Sequence, residues 1–216
     1  MSQLFDTTIT EEMLKDLYQS VQNTMSSKRF RHTAAVADMV GRLAELYCPE
    51  KKDMLTAAAL LHDITKEWDR ERQEDFLTSH GEPITPTERL APKTHHARTA
   101  TLLIPEFYPN FAHDEILSCV RYHTTGRANM TLCEKLVYLA DYIDDTRNFP
   151  DCVTLRAVFW DAQPWEMTPT QREQHLDDVM ILSFDMTIRS LVEEGTPVHP
   201  HTMDARNDLI VKKNNR

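Results

Sequence analysis

The amino-acid sequence predicts an all-α protein folded as one irregular helical bundle. Only four of its 216 residues are glycine, which disfavours a sheet rich in tight turns. Residues that favour helices, such as alanine, leucine, glutamate and lysine, are plentiful. Apolar residues recur at helical spacing, and no convincing strand or internal repeat interrupts them. Because 41% of the residues are hydrophobic, we expect residues 1–216 to bury one core and form a single domain.

Three helices are predicted in the first third of the chain. Thr10 is a suitable N-cap for the first, since two glutamates follow it in the opening turn. The second is expected over 29–47, with an apolar stripe on one face and Pro49 as its end. The third, "KKDMLTAAALLHDITK" over 51–66, becomes apolar nearly all round towards its end. That pattern is typical of a buried central helix.

The rest of the chain is predicted to hold further helices joined by polar loops. Between Trp68 and Pro92 we expect a short helix closed by Gly81, followed by a loop. The segment "WDAQPWEMTPTQ" is interpreted as a surface excursion. The other predicted helices cover about 93–104, 112–123, 130–146 and 170–194, with a final helix after "TPVHPHTMDARN".

Composition narrows the possible partners and surroundings. The formal net charge is −10, and no run of lysine or arginine supplies a basic patch, so neither nucleic acid nor a membrane is expected as a partner. No stretch approaches about 18 apolar residues, and the N-terminus lacks the pattern of a targeting segment, so we predict a cytoplasmic protein. The four cysteines show no CxxC spacing and are expected to be reduced thiols.

Several histidines and aspartates lie on or at the ends of apolar helices. The stretch "LLHDITK" places His62 beside Asp63 at the end of an apolar run, where an unpaired carboxylate is costly to bury. Imidazoles and carboxylates are ligands that suit divalent iron, manganese or zinc, and they can converge inside a helical bundle. The candidate ligands are His32, His62, Asp63, one of His95 and His96, His123 and Asp141.

The number of metal ions stays open at this stage. Adjacent side chains such as those of His62 and Asp63 point about 100° apart on a helix, so they could address two ions, or one of them could bridge. Two ions about 3.5–4 Å apart form a clamp for phosphoryl transfer and lower the pKa of bound water.

Each candidate also has a purely structural interpretation. His62 and His123 could be helix C-terminal residues favoured by the helix dipole, although Asp63 is unfavourable in such a place. Asp141 could simply form an ion pair with Lys135 or Arg147.

The ordered motifs resemble a known family. His32, the pair His62-Asp63 and Asp141 resemble the signature of the HD superfamily of metal-dependent phosphohydrolases. The segments "RFRH", "LLHDITK", "YHTTGRANM", "LADYIDDTRNFP" and "VHPHTMDARN" look like those of the bacterial HD-type symmetrical bis(5'-nucleosyl)-tetraphosphatases. The resemblance implies an HD-type bundle with core motifs over 29–147 and C-terminal helices over 150–213.

The resemblance also implies an activity and a metal site. The activity would be hydrolysis of diadenosine tetraphosphate to two ADP by a metal-activated hydroxide. His32, His62, Asp63 and Asp141 would be metal ligands, holding one or two ions. Iron is the first expectation, with manganese, zinc, cobalt or magnesium as alternatives. His95 and His123 would bind a second metal or contact the phosphates, and His95 is preferred to His96 because it lies five residues before Ala100.

Cations near the predicted centre would bind the phosphates of a dinucleoside polyphosphate or an ADP-like molecule. Lys66 follows Asp63 by one helical turn, and Arg29 precedes His32 by nearly one turn. Asp63 could accept a proton during catalysis, while Lys66 would stabilise phosphoryl charge. Arg147 is expected to lie beyond the end of its helix, near the predicted centre. Lys66 could alternatively be a plain solvated lysine. The loop residues Thr124, Thr125 and Gly126 offer hydroxyls and a permissive backbone to a phosphate.

Two rival functions follow from the same residues. One is another HD phosphohydrolase, acting on deoxynucleotides or nucleoside monophosphates. The other is a non-catalytic HD module that binds a nucleotide or a partner protein. The sequence does not decide whether the protein forms a homodimer. In the C-terminal motif, His199 and Arg206 could be structural or could close over the base.

Overall fold

The computed structural model describes residues 9–216, and no residue in that range forms a strand. The all-α prediction is therefore confirmed for this part of the chain, while residues 1–8 of the predicted domain lie outside it. The helices are α1 Glu11–Thr24, α2 Ser27–Tyr47, α3 Lys52–Leu61, α4 Arg70–Ser79, α5 Pro86–Arg89, α6 His95–Phe107, α7 Asp114–Tyr122, α8 Leu132–Ile143, α9 Pro150–Asp161, α10 Pro169–Glu193 and α11 Pro200–Asn214.

Helix α3 is the central element of the bundle. It packs along α2 and also contacts α1, α7 and α8. Its residues Ala57 to Leu61 are at most 1% exposed, as the apolar pattern predicts. Burying a leucine such as Leu60 contributes about 1.5–3 kcal/mol, so the end of α3 is firmly held in the core.

Side-chain caps fix the ends of the helices that lead to the centre. Thr10 caps α1 as predicted, accepting a hydrogen bond from the Met13 amide at 3.2 Å. At the start of α8, the Thr131 hydroxyl accepts from the Glu134 amide at 3.2 Å, and the Glu134 carboxylate accepts from the Thr131 amide at 2.8 Å. Such a reciprocal capping box fixes where a helix begins.

Several helix boundaries differ from the prediction. Helix α3 ends at Leu61, and residues 62–67 form turns in which the Lys66 amide donates to the Asp63 carbonyl at 3.0 Å. Helix α8 ends at Ile143, three residues early. Helix α9 lies in the C-terminal helical region expected over 150–213 but was not predicted as a separate helix, and it includes the first residues of the expected surface excursion. The short α5 lies in a predicted loop. In the described range, no helix combines the length and hydrophobicity needed to cross a membrane.

Candidate metal centre

Side chains from four parts of the bundle converge near the end of α3. His32 comes from α2, His62 and Asp63 follow α3, and Asp141 lies in the last turn of α8. Nε2 of His32 is 3.0 Å from Oδ1 of Asp141, and Nε2 of His62 is 3.4 Å from Oδ2 of Asp63. Nε2 of His123, which follows α7, lies 3.7 Å from Oδ1 of Asp63. Residues separated by up to about half of the chain therefore share one centre.

The converging atoms form two overlapping triads. His32, His62 and Asp141 each offer an atom within 4.8 Å of the other two, and so do His62, Asp63 and His123. Nε2 of His62 is buried without a hydrogen-bond partner, and Nε2 of His32 is buried with no hydrogen bond of good geometry although Oδ1 of Asp141 lies 3.0 Å away. Buried polar atoms rarely stay unpaired, and these imidazole and carboxylate donors suit a divalent transition-metal ion. The residues present thus fit one or two such ions.

Two imidazoles are oriented by the helices that carry them. Nδ1 of His62 lies 2.6 Å from the Ala59 carbonyl oxygen, and Nδ1 of His123 lies 2.7 Å from that of Val120. Each Nδ1–H donates to the carbonyl three residues earlier, so each Nε2 keeps its lone pair towards the centre. A histidine at a helix C-terminus, as the structural interpretation expects, can therefore also act as a metal ligand.

Electrostatics keeps the two carboxylates ionised. Burial raises the pKa of Asp63, but His62, His123 and His96 outweigh it and hold that pKa well below its usual range. Burial likewise raises the pKa of Asp141, and Arg147 with His32 lowers it well below the usual range. Both carboxylates are therefore available as anionic ligands at neutral pH.

The structure corrects the choice between the two adjacent histidines at the start of α6. Nε2 of His95 lies 3.0 Å from the Glu88 carbonyl oxygen, away from the centre. Nε2 of His96 instead lies 3.2 Å from Oδ1 of Asp63 and 2.9 Å from Nε2 of His123. Neighbouring residues on a helix point about 100° apart, so only one of the pair can face inward, and that residue is His96.

The predicted cations lie beside the centre. Nη1 of Arg29 donates to Oδ2 of Asp63 at 2.7 Å. Arg147 lies beyond the end of α8, as expected, and its guanidinium pairs with the Asp141 carboxylate while its Nε donates to the Asp141 carbonyl at 2.8 Å. Lys66 reaches His96, with Nζ 3.3 Å from Nδ1 and 3.2 Å from Nε2. Burial lowers the pKa of Lys66, so it is not a plain solvated lysine.

The loop after α7 is only partly a phosphate-binding candidate. Oγ1 of Thr124 lies 3.3 Å from Nε2 of His96, whereas Thr125 donates to the Gly126 carbonyl at 2.9 Å. Gly126 has φ +63°, and a Cβ there would lie 2.7 Å from Cζ of Phe184. Its amide donates to the Tyr122 carbonyl at 2.8 Å. The glycine is required by packing against α10, and its contact with a phosphate stays a prediction.

Two cavities are lined by residues next to members of the centre. One of about 270 Å³ is lined in part by Tyr122, which precedes His123 in the chain, and by Thr125 and His199, but it contains none of the ligand candidates. The other, of about 530 Å³, is lined in part by Arg147 and Phe149. A cavity of about 660 Å³ lies elsewhere and shares no residue with the centre, so its greater volume carries no functional weight.

The sequence prediction missed two residues that face His32. Oδ2 of Asp144 and Oγ1 of Thr146 each lie 3.4 Å from Nδ1 of His32. Asp144 follows Asp141 by three residues, a spacing that places both on one side of a helix end. That spacing in the sequence would have identified Asp144 as a further candidate for the site. Arg206, by contrast, pairs with Asp185 at the surface.

Comparison with known proteins identifies the family. A family model for the HD domain matches residues 29–146, more than half of the chain. The chain belongs to the HD-domain family. All the converging ligand candidates lie inside this HD domain, and the resemblance drawn from the motifs is confirmed.

Two relatives of this chain share the same name. A Halalkalibacterium halodurans protein, 28% identical over 90% of this chain and 96% of its own, is named symmetrical bis(5'-nucleosyl)-tetraphosphatase. A Bacillus subtilis protein of the same name is 28% identical over 88% of this chain and 94% of its own. A Clostridium acetobutylicum crystal structure, titled as a predicted HD superfamily hydrolase involved in NAD metabolism, has a TM-score of 0.77 and 28% identity. It covers 92% of this chain and 97% of its own, so the HD-type bundle and the phosphohydrolase family are supported.

Proposed function

We propose that this protein hydrolyses diadenosine tetraphosphate symmetrically to two ADP, using divalent metal ions. The observation that carries the proposal is the pair of triads that share His62. Relatives aligned over 85% to 90% of the chain are named for this activity. The proposal extends the family assignment to a particular substrate.

The centre supplies a natural place for two neighbouring ions. His62 has one ring nitrogen free and can serve only one ion. His32, His62 and Asp141 would hold that ion, and Asp63, His96 and His123 would hold the other. When bound, such ions make a water molecule more acidic and offset the charge of phosphoryl oxygens. Iron stays the first candidate, with manganese, zinc, cobalt or magnesium as alternatives.

The chain's own cations are proposed to bind the polyphosphate. The side chains of Arg29 and Arg147 are 28% and 29% exposed, and each contacts a carboxylate of the centre with its guanidinium. Each can therefore meet a phosphate while keeping its carboxylate in place. Lys66 adds a third positive charge beside His96. These groups would allow a chain of net charge −10 to accept a highly anionic substrate.

Asp63 has two proposed roles of unequal weight. Its depressed pKa makes it a stable anionic ligand and a weak base. We therefore assign it chiefly to metal binding, with proton acceptance as a secondary role. Thr124 is placed to donate its hydroxyl near the phosphates, since it lies against His96.

The two cavities are consistent with a substrate that has two nucleosides. The larger is lined in part by Arg147, which pairs with Asp141, and the smaller in part by Tyr122 and Thr125, which flank His123 and Thr124 in the chain. Symmetrical cleavage requires the reacting phosphorus to be fixed relative to one ADP unit. A nucleoside held in either cavity would fix that distance.

A substrate panel separates this proposal from its rivals. Protein loaded in turn with Fe²⁺, Mn²⁺, Co²⁺, Zn²⁺ or Mg²⁺ is incubated with diadenosine tetraphosphate, NAD, dATP and AMP, and products are separated by ion-exchange chromatography. ADP as the sole product of the tetraphosphate supports the proposal. Release of ATP and AMP, or a preference for another nucleotide, contradicts it. Metal-loaded protein without turnover would instead support the non-catalytic HD module.

The Clostridium neighbour is the reason for including NAD. Its title places it in NAD metabolism, which makes a different nucleotide substrate the second candidate. An Asp63→Asn variant serves as the blank in every arm, because it keeps the side-chain shape and removes a ligand charge.

A further inference from the structure

The imidazoles of the centre are held in different ways. His62 and His123 stand at helix ends and donate Nδ1–H to a carbonyl of their own last turn. His32 lies inside α2, where the carbonyls of the preceding turn are already used by the helix. Its Nδ1 must therefore find a partner on another element, and the atoms nearest to it belong to Asp144 and Thr146.

Asp144 is unusually placed for a carboxylate. It is 0% exposed, and its Oδ1 accepts from the Thr146 amide at 2.8 Å and from the Thr146 hydroxyl. Its Oδ2 has no hydrogen-bond partner of good geometry. That oxygen lies 3.4 Å from Nδ1 of His32 and 3.5 Å from Nε of Arg147. Burying an anionic oxygen costs free energy unless the oxygen accepts a hydrogen bond.

The turn that carries Asp144 is clamped from α9. Nε of Arg156 donates to the Ile143 carbonyl at 2.8 Å, and its Nη2 donates to the carbonyls of Arg147, at 2.7 Å, and of Asp144. These carbonyls lie at and beyond the C-terminus of α8, where a positive charge is favourable. The clamp fixes the position of the Asp144 carboxylate before any ligand binds.

We propose that Asp144 is a positioning residue for His32. Its carboxylate accepts a hydrogen bond from the Nδ1–H of His32, which fixes the imidazole in the tautomer whose Nε2 lone pair faces the centre and increases its strength as a ligand. Asp144 touches neither the proposed ions nor the substrate. The inference rests on the metal site of the proposed function, and extends it to a residue that is not among the proposed ligands.

The test compares two buried carboxylates by the same substitution. Asp144→Asn removes the charge facing His32, and Asp177→Asn removes a charge from a carboxylate that is 1% exposed and lies 2.5 Å from Lys135, away from the centre. Co²⁺ affinity is measured by competition with a chelator, and the visible absorption of the bound Co²⁺ reports its ligand geometry. We expect about 10–100-fold weaker binding and an altered spectrum for Asp144→Asn, and wild-type values for Asp177→Asn.

Turnover supplies a further readout. Because Asp144 does not touch the substrate, kcat should fall at subsaturating Co²⁺ while KM for the tetraphosphate stays unchanged. Unaltered Co²⁺ affinity and spectrum in a folded Asp144→Asn protein would overturn the inference. Wild-type protein that binds no Co²⁺ would instead overturn the proposed metal site itself.

A second variant covers the case in which Asp144→Asn fails to fold. Thr146→Val keeps the carboxylate but removes the hydroxyl that bonds to it and faces His32. It should weaken Co²⁺ binding in the same direction by a smaller factor. Wild-type Co²⁺ binding by Thr146→Val would then count against the inference.

Discussion

The guanidinium of Arg29 donates to the carboxylate of Asp63 at 2.7 Å, although 34 residues separate the two in the chain. This contact joins the first turn of α2 to the turn after α3. It places a partly exposed positive charge directly against a proposed metal ligand. Arg29 is thus suited both to hold Asp63 and to meet an incoming phosphate.

Replacing Arg29 by alanine should reduce kcat/KM for diadenosine tetraphosphate by about 10–100-fold, since a charge-assisted hydrogen bond contributes about 1.5–3 kcal/mol. Steady-state kinetics at saturating metal measures the effect. The matched control is Arg31→Ala, which removes the same charge from an exposed position on the same helix. Equal losses of kcat/KM in the two variants would show that Arg29 acts only through its positive charge and not through a specific contact.

The two adjacent histidines at the start of α6 should behave oppositely. His96→Ala removes an imidazole within 3.2 Å of Asp63 and should abolish most turnover and lower the bound-metal content. His95→Ala removes the contact with the Glu88 carbonyl and leaves a cavity, because the side chain is 0% exposed, so it should lower stability rather than metal content. Metal analysis together with initial rates distinguishes them. If His95→Ala were the inactive member of the pair, the assignment of His96 to the centre would be refuted.

Metal-free protein should lose stability as the pH rises. Burial lowers the pKa of His32, but Asp141 and Asp144 more than compensate, raising it from 6.5 to about 9. A raised folded-state pKa stabilises the protein fully below the unfolded value of 6.5, and that contribution disappears as the pH passes about 9. The upper limit is about 3 kcal/mol in the free energy of unfolding.

Denaturant unfolding of chelator-treated protein at pH 6 and pH 9.5 measures this contribution. A His32→Asn variant is the control, and it should show a correspondingly smaller pH dependence. Bound metal would take the place of the Nε2 proton, so metal affinity should increase from pH 6 towards pH 9. Affinity that is flat over this interval would argue against His32 as a ligand.

The two glycines at positive φ near the C-terminal helices provide a packing test. Gly126 and Gly195 have φ +63° and +64°, but a Cβ on Gly126 would lie 2.7 Å from Phe184, while nothing lies within 4 Å at Gly195. Both alanine variants pay about 1–2 kcal/mol for the left-handed backbone. Gly126→Ala should lose about 1–3 kcal/mol more through overpacking. Unfolding free energies that are the same for both variants would contradict the proposed crowding.

The ligand set was largely predictable because it combines local pattern with an energetic argument. His32, His62, Asp63, His123 and Asp141 stand on apolar helices, where a buried imidazole or carboxylate needs a partner, and the structure brings all of them together. The helices themselves followed from apolar spacing. Their assignment as metal ligands stays a proposal that metal analysis must test.

The errors have physical causes that the sequence does not display. The choice between His95 and His96 depends on the rotational phase of α6, and a one-residue difference turns a side chain by about 100°. The packing role of Gly126 was also not visible in the sequence, because the neighbour that it admits, Phe184, lies in a distant helix. The early end of α3 places Lys66 on a turn, so its direction could not follow from helical spacing.

Only His62 and Asp63 are neighbours in sequence, and every other member of the centre must be brought in by a different helix. An unfolded chain therefore offers a cation little more than an isolated dipeptide. Binding that is confined to the native state shifts the folding equilibrium by mass action, by about 2.7 kcal/mol when the free ion is at 100 times its Kd. Scarcity of the cation would then shorten the lifetime of the protein in the presence of proteases, besides lowering its activity.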